Sequence, residues 1–271
     1  QEGNDVVLVQ QYAEGGDLYR LLHRNGGRLA ERQAVEMVLH PFLLSMHYLH
    51  THGIMHRDIK PENVLFTDQR VLKLADFGLA IDLNEERAVT RAGTLDYMAP
   101  EVLRCPPKNL PQENKNNTSL HYNNSVDAWA VGVFAYELIV GFAPFAGESQ
   151  LASVDKIIHS TPEFPEKISE LAKSFIIAAL QKHPGDRPTM MEMLHHPWIR
   201  SYQRRTSVMI PQQIRRTSSI HPPNANPAAM ITQHEEGPLP GLPTNYEQLS
   251  PAEIETMIAR LQMGKHATVA V

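Results

Sequence analysis

The sequence lacks the cysteines from which an internal disulfide could form, since Cys105 is the single cysteine among its 271 residues. A chain without disulfides fits a reducing compartment, so we expect a cytoplasmic or nuclear location. It also lacks an apolar run long enough to cross a bilayer. Basic residues are not in surplus, because the formal net charge is -5. This charge argues against partners such as nucleic acid or a membrane surface.

The sequence begins without an initiator methionine and without the features of a secretory signal. We interpret the polar start, residues 1–5, as a cut end or as the edge of an incomplete gene assignment. The composition is that of a globular protein, with 42% hydrophobic and 20% charged residues, and the length suggests one or two domains.

Apolar periodicity and punctuating residues predict mainly helices, with a few short strands. The helix over 31–51 contains Pro41, which removes one backbone donor and should bend it. The region 76–101 has weak periodicity and is predicted to be a loop. The other predicted helices begin near Leu18 or span 126–140, 150–158, 168–182 and 189–195, and the strands span 6–9, 64–66 and 71–74.

The composition changes after about residue 202. Residues 203–245 are rich in Pro, Ser, Thr, Gln and Asn, and we expect them to be largely disordered. Residues 246–264 contain a capping box followed by an apolar stripe, which predicts a short amphipathic helix. That helix either rests on the main domain or docks a partner. Two basic runs, at 204–207 and 215–219, are either phosphorylation sites or chance basic pairs.

Residues 56–63 read His-Arg-Asp-Ile-Lys-Pro-Glu-Asn and lie between a predicted helix and a predicted strand. The octapeptide resembles the catalytic loop of eukaryotic serine/threonine protein kinases. The resemblance implies that Asp58 orients the acceptor hydroxyl and receives its proton. It implies that Lys60 places a cation near the moving phosphoryl group and that Asn63 is a magnesium ligand.

Two further motifs follow in the order that this family has them: Asp-Phe-Gly at 76–78 and Ala-Pro-Glu at 99–101. The resemblance implies that Asp76 is the second magnesium ligand. It implies that Phe77 packs against His56 and that Thr94 forms hydrogen bonds with Asp58 and Lys60. The run from Gly93 to Tyr97 is similar to that of Aurora kinases and the related basophilic group.

Thr90 lies four positions before Thr94, where many kinases carry an activating phosphothreonine. A phosphate there could pair with Arg57, whose guanidinium binds phosphate oxygens in a fork. The alternative is an unmodified, exposed threonine.

Two scaffolding positions support the same resemblance. Asp127, in an Asp-Ala-Trp-Ala-Val-Gly run, is expected to hold the backbone of the catalytic loop. Arg187 is expected to pair with Glu101 as a structural ion pair. The long Asn- and Pro-containing stretch between Glu101 and Asp127 is interpreted as a surface insertion.

By resemblance, Gln10 to Ala13 form the hinge that faces adenine in ATP, with Gln10 as gatekeeper. The backbone of Gln11 and Ala13 faces the base, Asp17 faces the ribose and Leu65 forms the floor of the site. The glycine-rich loop and the phosphate-binding lysine of the small lobe would precede this hinge. We therefore expect negligible kinase activity from the isolated chain.

The predicted architecture is α+β, mainly α-helical: a kinase C-terminal lobe with a few short strands, followed by a largely disordered tail. Residues 1–13 end the small lobe and form the hinge, 14–202 form the C-terminal lobe, and 203–245 and 246–264 are the tail and its helix. The implied activity is ATP- and Mg²⁺-dependent phosphorylation of protein serine and threonine. The alternative is a non-catalytic scaffold built from the same lobe, and a nucleic-acid or metal-binding module has little support.

Three acidic residues give a hint about substrate choice. Asp17, Glu62 and Asp155 align with positions that receive arginine upstream of the acceptor in basophilic kinases. The alternative is three solvated carboxylates.

Overall fold

The computed structural model describes residues 9–106 and 113–203. The predicted strand over 6–9 and the predictions for the tail beyond Gln203 lie outside the described residues, apart from Val9, which is not in a strand. The described part is mainly α-helical with a few short strands, which confirms the predicted fold class. None of its helices is long and apolar enough to cross a membrane.

The helices and strands have the following bounds. The helices are α1 Leu18–Arg24, α2 Glu31–Gln33, α3 His40–Thr51, α4 Pro100–Leu103, α5 Ser125–Val140, α6 Gln150–His159, α7 Glu170–Ala179, α8 Met190–His195 and α9 Pro197–Ser201. The strands are β1 Gly16–Asp17, β2 Ile54–Met55, β3 Val64–Phe66, β4 Leu72–Leu74 and β5 Ile81–Asp82.

The centre of the core is α5, which is apolar around its whole circumference and therefore buried on every side. Trp129 and Phe134 are completely buried. Gly132 lets α7 approach closely, because a Cβ at that position would lie 2.7 Å from the Cβ of Ala179. Because α5 is enclosed in this way, its position is fixed, and an aspartate at its start can hold the surrounding loops in place by hydrogen bonds.

The helical region 31–51 contains the distortion that Pro41 predicts, in the form of a wider turn. Between α2 and α3, Ala34–Leu39 is π-helical, and the His40 N–H donates to the Val35 carbonyl. Proline cannot donate to the carbonyl four residues earlier, so the helix cannot continue its regular hydrogen bonds through this point.

Two small antiparallel sheets hold the loops of the site. One has the order β1-β3-β4, with Asp17 opposite Leu65 and Val64 opposite Leu74. The other pairs β2 with β5. The strands β3 and β4 are joined by a turn at Asp68 and Gln69.

The region 76–101, predicted to be a loop, is largely irregular but contains more structure than the sequence indicates. It includes β5, a 3₁₀ turn at Leu95–Tyr97 and the start of α4. A two-residue strand is too short to produce a detectable alternation of apolar residues, so sequence periodicity misses it. In the insertion before α5, Thr118–Leu120 forms a 3₁₀ turn and Tyr122 forms an isolated antiparallel bridge with Ala88.

Candidate active site

Asp127, at the start of α5, fixes the backbone of the loop that carries Asp58. Its carboxylate accepts the N–H groups of His56 and Arg57, each at 2.9 Å. The side chain is completely buried and also accepts from His50 at 2.9 Å. Burial alone would raise the pKa of Asp127, but its hydrogen bonds and the nearby imidazoles outweigh that effect and lower the pKa. The contact predicted between Asp127 and the loop backbone is therefore present.

Asp58 lies at the centre of a compact polar cluster. Its Oδ1 accepts the Thr94 hydroxyl at 2.8 Å, and its Oδ2 accepts the Lys60 ammonium at 2.8 Å. Lys60 also reaches the Thr94 hydroxyl oxygen at 3.3 Å, so the contacts predicted among these three residues are present. Burial would raise the pKa of Asp58, but Lys60, Thr94 and Asn63 together hold the pKa below its usual range. The carboxylate is therefore ionised at neutral pH.

Asn63 and Asp76 lie close together in the fold because β3 begins just after Asn63 and β4 ends just before Ala75 and Asp76. The two strands pair with Val64 opposite Leu74. The Asn63 side-chain N–H group donates to Asp58, at 2.8 Å to the backbone carbonyl and 3.2 Å to the carboxylate. The Asn63 backbone carbonyl accepts from the N–H of Ala75, the neighbour of Asp76. Asp76 is exposed and has a φ of 59°, a left-handed conformation that is uncommon for a residue other than glycine.

The donor set of Asn63 and Asp76 fits Mg²⁺. Because the Asn63 amide nitrogen donates to Asp58, the orientation of the amide is fixed and the side-chain oxygen remains as an acceptor. Magnesium sites of phosphoryl-transfer enzymes use one or two protein oxygens plus substrate phosphates, instead of a cage of protein ligands. In keeping with this, residues 9–106 and 113–203 contain no cluster of three or more His, Cys, Asp or Glu side chains that could hold a metal.

His56 lies close enough to Asp58, Asp76 and Asp127 for their charges to act on its ionisation. It is completely buried, and the edge-on contact with Phe77, at 5.0 Å between ring centroids, matches the predicted packing. Burial lowers the pKa of His56, and the attraction of Asp127, Asp58 and Asp76 opposes the shift only in part. The imidazole is therefore neutral at physiological pH.

The residues predicted to face ATP lie at one edge of the three-stranded sheet. Asp17 and Leu65 are direct partners in the β1–β3 register. Gln11 is exposed and Ala13 half-buried, and the Ala13 carbonyl accepts from Gly16. The Asp17 carboxylate caps α1 through the Arg20 N–H, and it also pairs with the Arg20 guanidinium at 3.3 Å.

Arg57 contacts neutral oxygens in this structure. Its Nε donates to the Leu79 carbonyl at 2.5 Å, and its Nη1 donates to the Tyr122 hydroxyl at 3.2 Å. The Tyr122 hydroxyl donates to the Thr90 carbonyl at 2.6 Å. Tyr122 thus connects the two residues of the predicted phosphate switch. The sequence analysis missed it because it lies in the insertion and in no motif.

The ion pair predicted between Glu101 and Arg187 is present and bidentate, with N–O distances of 2.6 and 2.8 Å. The Arg187 side chain is fully buried, and its other donors reach the backbone carbonyls of Ser125, Gln181 and Lys182. The pair therefore fastens α4 to the start of α5.

An acidic cluster beside the site was also missed by the sequence analysis, except for Glu62. The Tyr97 hydroxyl donates to the Glu137 carboxylate. Burial and the neighbouring Glu62 and Asp96 raise the pKa of Glu137, although the Tyr97 hydrogen bond opposes the shift. Burial and Glu137 likewise raise the pKa of Tyr97. Asp155, by contrast, lies on α6 and pairs with His159 at 3.0 Å.

Asp58, Lys60 and Thr94 thus form one hydrogen-bonded cluster, with the Asn63 amide bonded to Asp58 and Ala75, the neighbour of Asp76, bonded to Asn63. Phosphoryl transfer uses these residue types. The sequence profile described as "Protein kinase domain" matches residues 1–199. The chain belongs to the protein kinase family, and within it to the serine/threonine class with a weak likeness to Aurora kinases.

Several characterised kinases are similar to this chain. It is 32% identical to Aurora kinase C of Mus musculus over 200 residues, which cover 74% of this chain and 67% of that protein. It is 37% identical to Aurora kinase of Candida glabrata, over 72% of this chain and 50% of the relative. A probable myosin light chain kinase of Dictyostelium discoideum is 35% identical, over 73% and 49% respectively. The chain thus spans between about half and two thirds of the length of these relatives.

Proposed function

We propose that residues 14–202 form the catalytic lobe of a kinase that transfers the γ-phosphate of ATP to serine or threonine hydroxyls of proteins, with residues 1–13 as the end of the small lobe and the hinge. One observation carries the proposal: the carboxylate of Asp58 binds Lys60 through one oxygen and Thr94 through the other, both at 2.8 Å. In a surface loop whose charged side chains have no common role, these side chains would be solvated and would not form a buried, hydrogen-bonded cluster.

The roles follow from the positions of the polar groups. The lowered pKa of Asp58 keeps it ionised, so it can accept a hydrogen bond from the substrate hydroxyl, orient it and receive its proton. The Lys60 ammonium binds Oδ2 of Asp58 at 2.8 Å and would stabilise the negative charge of the moving phosphoryl group. The Thr94 hydroxyl now occupies one oxygen of Asp58, which marks where an acceptor hydroxyl can bind.

Asn63 and Asp76 would hold Mg²⁺, which neutralises charge on the phosphates of ATP and aligns them. Asp17 and Leu65, joined by the β1–β3 register, would face the ribose and the base, and the backbone of Gln11 and Ala13 would face adenine. The absence of a basic surplus and the lone cysteine support a protein of the cytoplasm or nucleus that does not act on nucleic acid or membranes.

Substrates with arginine upstream of the acceptor fit the acidic cluster. Glu62 and Asp96 lie close enough to Glu137 to raise the pKa of its carboxyl, and a guanidinium among the three would relieve the repulsion that Glu137 meets. This support is stronger than that from Asp17 and Asp155, whose carboxylates already pair with Arg20 and His159. A peptide array that shows no enrichment for arginine upstream of the acceptor would refute this preference.

The catalytic test needs a small lobe, because the sequence contains no glycine-rich loop ahead of Gln10. We would join the small lobe of mouse Aurora kinase C ahead of Gln10 and measure phosphorylation of serine peptides. Asp58→Asn should lower kcat by about 100-fold or more, since general-base groups contribute about 10²–10⁴-fold. Asp68→Asn, in the exposed β3–β4 turn, is the matched control and should leave kcat unchanged. A chimera that folds and binds ATP but lacks activity would favour the scaffold instead.

A further inference from the structure

Tyr122 connects the catalytic loop to the segment that carries Thr90. Its hydroxyl accepts from Arg57 Nη1 at 3.2 Å and donates to the Thr90 carbonyl at 2.6 Å. The side chain is only 7% exposed, and burial raises the pKa of Tyr122 although Arg57 opposes the shift. The hydroxyl therefore keeps its proton and can serve as acceptor and donor at once. These three residues form the Tyr122 network.

The backbone around Tyr122 is attached to the same segment. The Tyr122 N–H donates to the Ala88 carbonyl at 3.1 Å, which forms the isolated bridge between these residues. Nearby, Lys115 pairs with Glu86 at 2.8 Å, and Arg87 donates to His121 at 3.4 Å. These contacts place Lys115, His121 and Tyr122 against residues 86–88.

The Arg57 guanidinium has no carboxylate partner among the described residues. It forms no salt bridge there and contacts only the Leu79 carbonyl and the Tyr122 hydroxyl. The Thr90 side chain takes no part in the Tyr122 network, because Tyr122 binds the backbone carbonyl of that residue. A phosphate on the Thr90 hydroxyl and the existing Tyr122 contact are thus two separate ways to connect Arg57 with the same segment.

We propose that Tyr122 is a positioning residue that holds the Thr90 segment against the catalytic loop when Thr90 carries no phosphate. The idea rests on the proposed kinase function and on the phosphate switch that the sequence predicts between Arg57 and Thr90. In the unmodified protein, Tyr122 supplies the connection through neutral hydrogen bonds. After phosphorylation, the charged and stronger contact with Arg57 makes that connection redundant.

The test measures hydrogen–deuterium exchange in the full 271-residue chain, so it does not depend on catalysis. Tyr122→Phe removes only the hydroxyl and leaves Arg57 Nη1 and the Thr90 carbonyl without their shared partner. Exchange in peptides covering 88–93 should become about five- to tenfold faster, the effect of one net hydrogen bond. Tyr136→Phe is the matched control, because the Tyr136 hydroxyl also donates to a backbone carbonyl, that of Glu163 at 2.7 Å. It should leave residues 88–93 unchanged.

Phosphothreonine incorporated at position 90 separates positioning from simple packing. In the Tyr122→Phe background it should restore slow exchange in 88–93, because the phosphate gives Arg57 a new partner. Three results would overturn the proposal: no change in 88–93, faster exchange throughout the domain, or a local increase that phosphothreonine does not reverse. None of these measurements involves phosphate transfer. A chimera that transfers no phosphate would therefore refute the proposed function and leave the result of the exchange experiment unaffected.

Discussion

His50 and Asp127 are joined by a hydrogen bond of 2.9 Å, although they lie 77 positions apart in the chain. The bond connects the C-terminal end of α3 with the N-terminal end of α5. The same carboxylate binds the backbone of His56 and Arg57, so one buried side chain sets the position of the catalytic loop relative to two helices. The three hydrogen bonds and the nearby imidazoles lower the pKa of this buried carboxylate, so it stays ionised.

The first prediction concerns Asp127. Asp127→Asn keeps the shape of the side chain but turns one acceptor into a donor that faces a backbone N–H. A buried donor without a partner costs about 1–3 kcal/mol, so the free energy of unfolding should fall by about that amount. Urea denaturation followed by circular dichroism measures it.

Asp155→Asn is the control for this prediction, because Asp155 also pairs with a histidine but is 71% exposed. Its effect should stay within about 0.5 kcal/mol. Equal losses for the two variants would show that the burial of Asp127 has no special role.

The second prediction concerns Arg187 and Glu101. Arg187→Met leaves the Glu101 carboxylate without its bidentate partner, and breaking a buried pair from one side costs about 3–5 kcal/mol. Thermal unfolding should show a large decrease in Tm. Lys173→Met, which breaks an ion pair with the 86% exposed Glu170, should change stability by less than about 1 kcal/mol. A small effect at Arg187 would mean that α4 is fastened by other contacts.

The residues predicted from the sequence are mainly those in contiguous motifs. Asp58, Asn63 and Asp76 could be predicted because they stand in contiguous motifs that resemble those of protein kinases. The caps of α1 and α8, Asp17 and Thr189, are local features as well, because each side chain accepts from a backbone N–H three residues later.

Residues that act through distant contacts could not be predicted in this way. His50, Tyr122 and Glu137 are ordinary residues within a helix or a loop, and each gains its role from a partner that the fold brings near. The position of β5 was missed because its pairing with β2 involves only two residues in each strand. The residues next to each of these positions in the sequence do not indicate which distant residue becomes its partner in the fold.

The third prediction concerns Gly93, which has a φ of 109°. A Cβ at this position would lie 2.5 Å from the Arg57 carbonyl oxygen, so the segment after Thr90 passes directly over the catalytic loop. Gly93→Ala should destabilise the protein and speed hydrogen exchange around both Arg57 and residue 93. Gly141→Ala is matched in backbone conformation, with a φ of 105°, but its Cβ would lie 3.3 Å from the nearest atom.

A left-handed conformation costs a non-glycine residue about 1–2 kcal/mol, and both variants carry that cost. Only Gly93→Ala adds a backbone clash, so its loss in urea denaturation should exceed that of Gly141→Ala. Identical losses, with no local change in exchange near Arg57, would contradict the close approach.

The fourth prediction uses the raised pKa of Glu137. Because burial and the charges of Glu62 and Asp96 disfavour its ionised form, the folded protein binds a proton more tightly than the unfolded chain, whose glutamate titrates near 4.5. The stability that this group contributes is therefore fully present below pH 4.5 and is lost as the pH rises through the folded pKa. Tyr97, which donates to Glu137, keeps its proton throughout this range because its pKa is raised as well.

Glu137→Gln should remove this pH dependence, because glutamine can still accept from Tyr97 but does not ionise. The unfolding free energy of the variant, minus that of the unaltered chain, should increase as the pH is raised from about 4 to 7, measured by urea denaturation at each pH. Glu192→Gln is the control: Glu192 lies in the exposed capping box of α8, where hydrogen bonds from Thr189 lower its pKa, so any pH trend should have the opposite sign. In the chimera, Glu137→Gln should also raise KM for peptides with upstream arginine more than for peptides without it. A pH-independent difference would show that Glu137 is no more basic in the folded protein than in the unfolded chain.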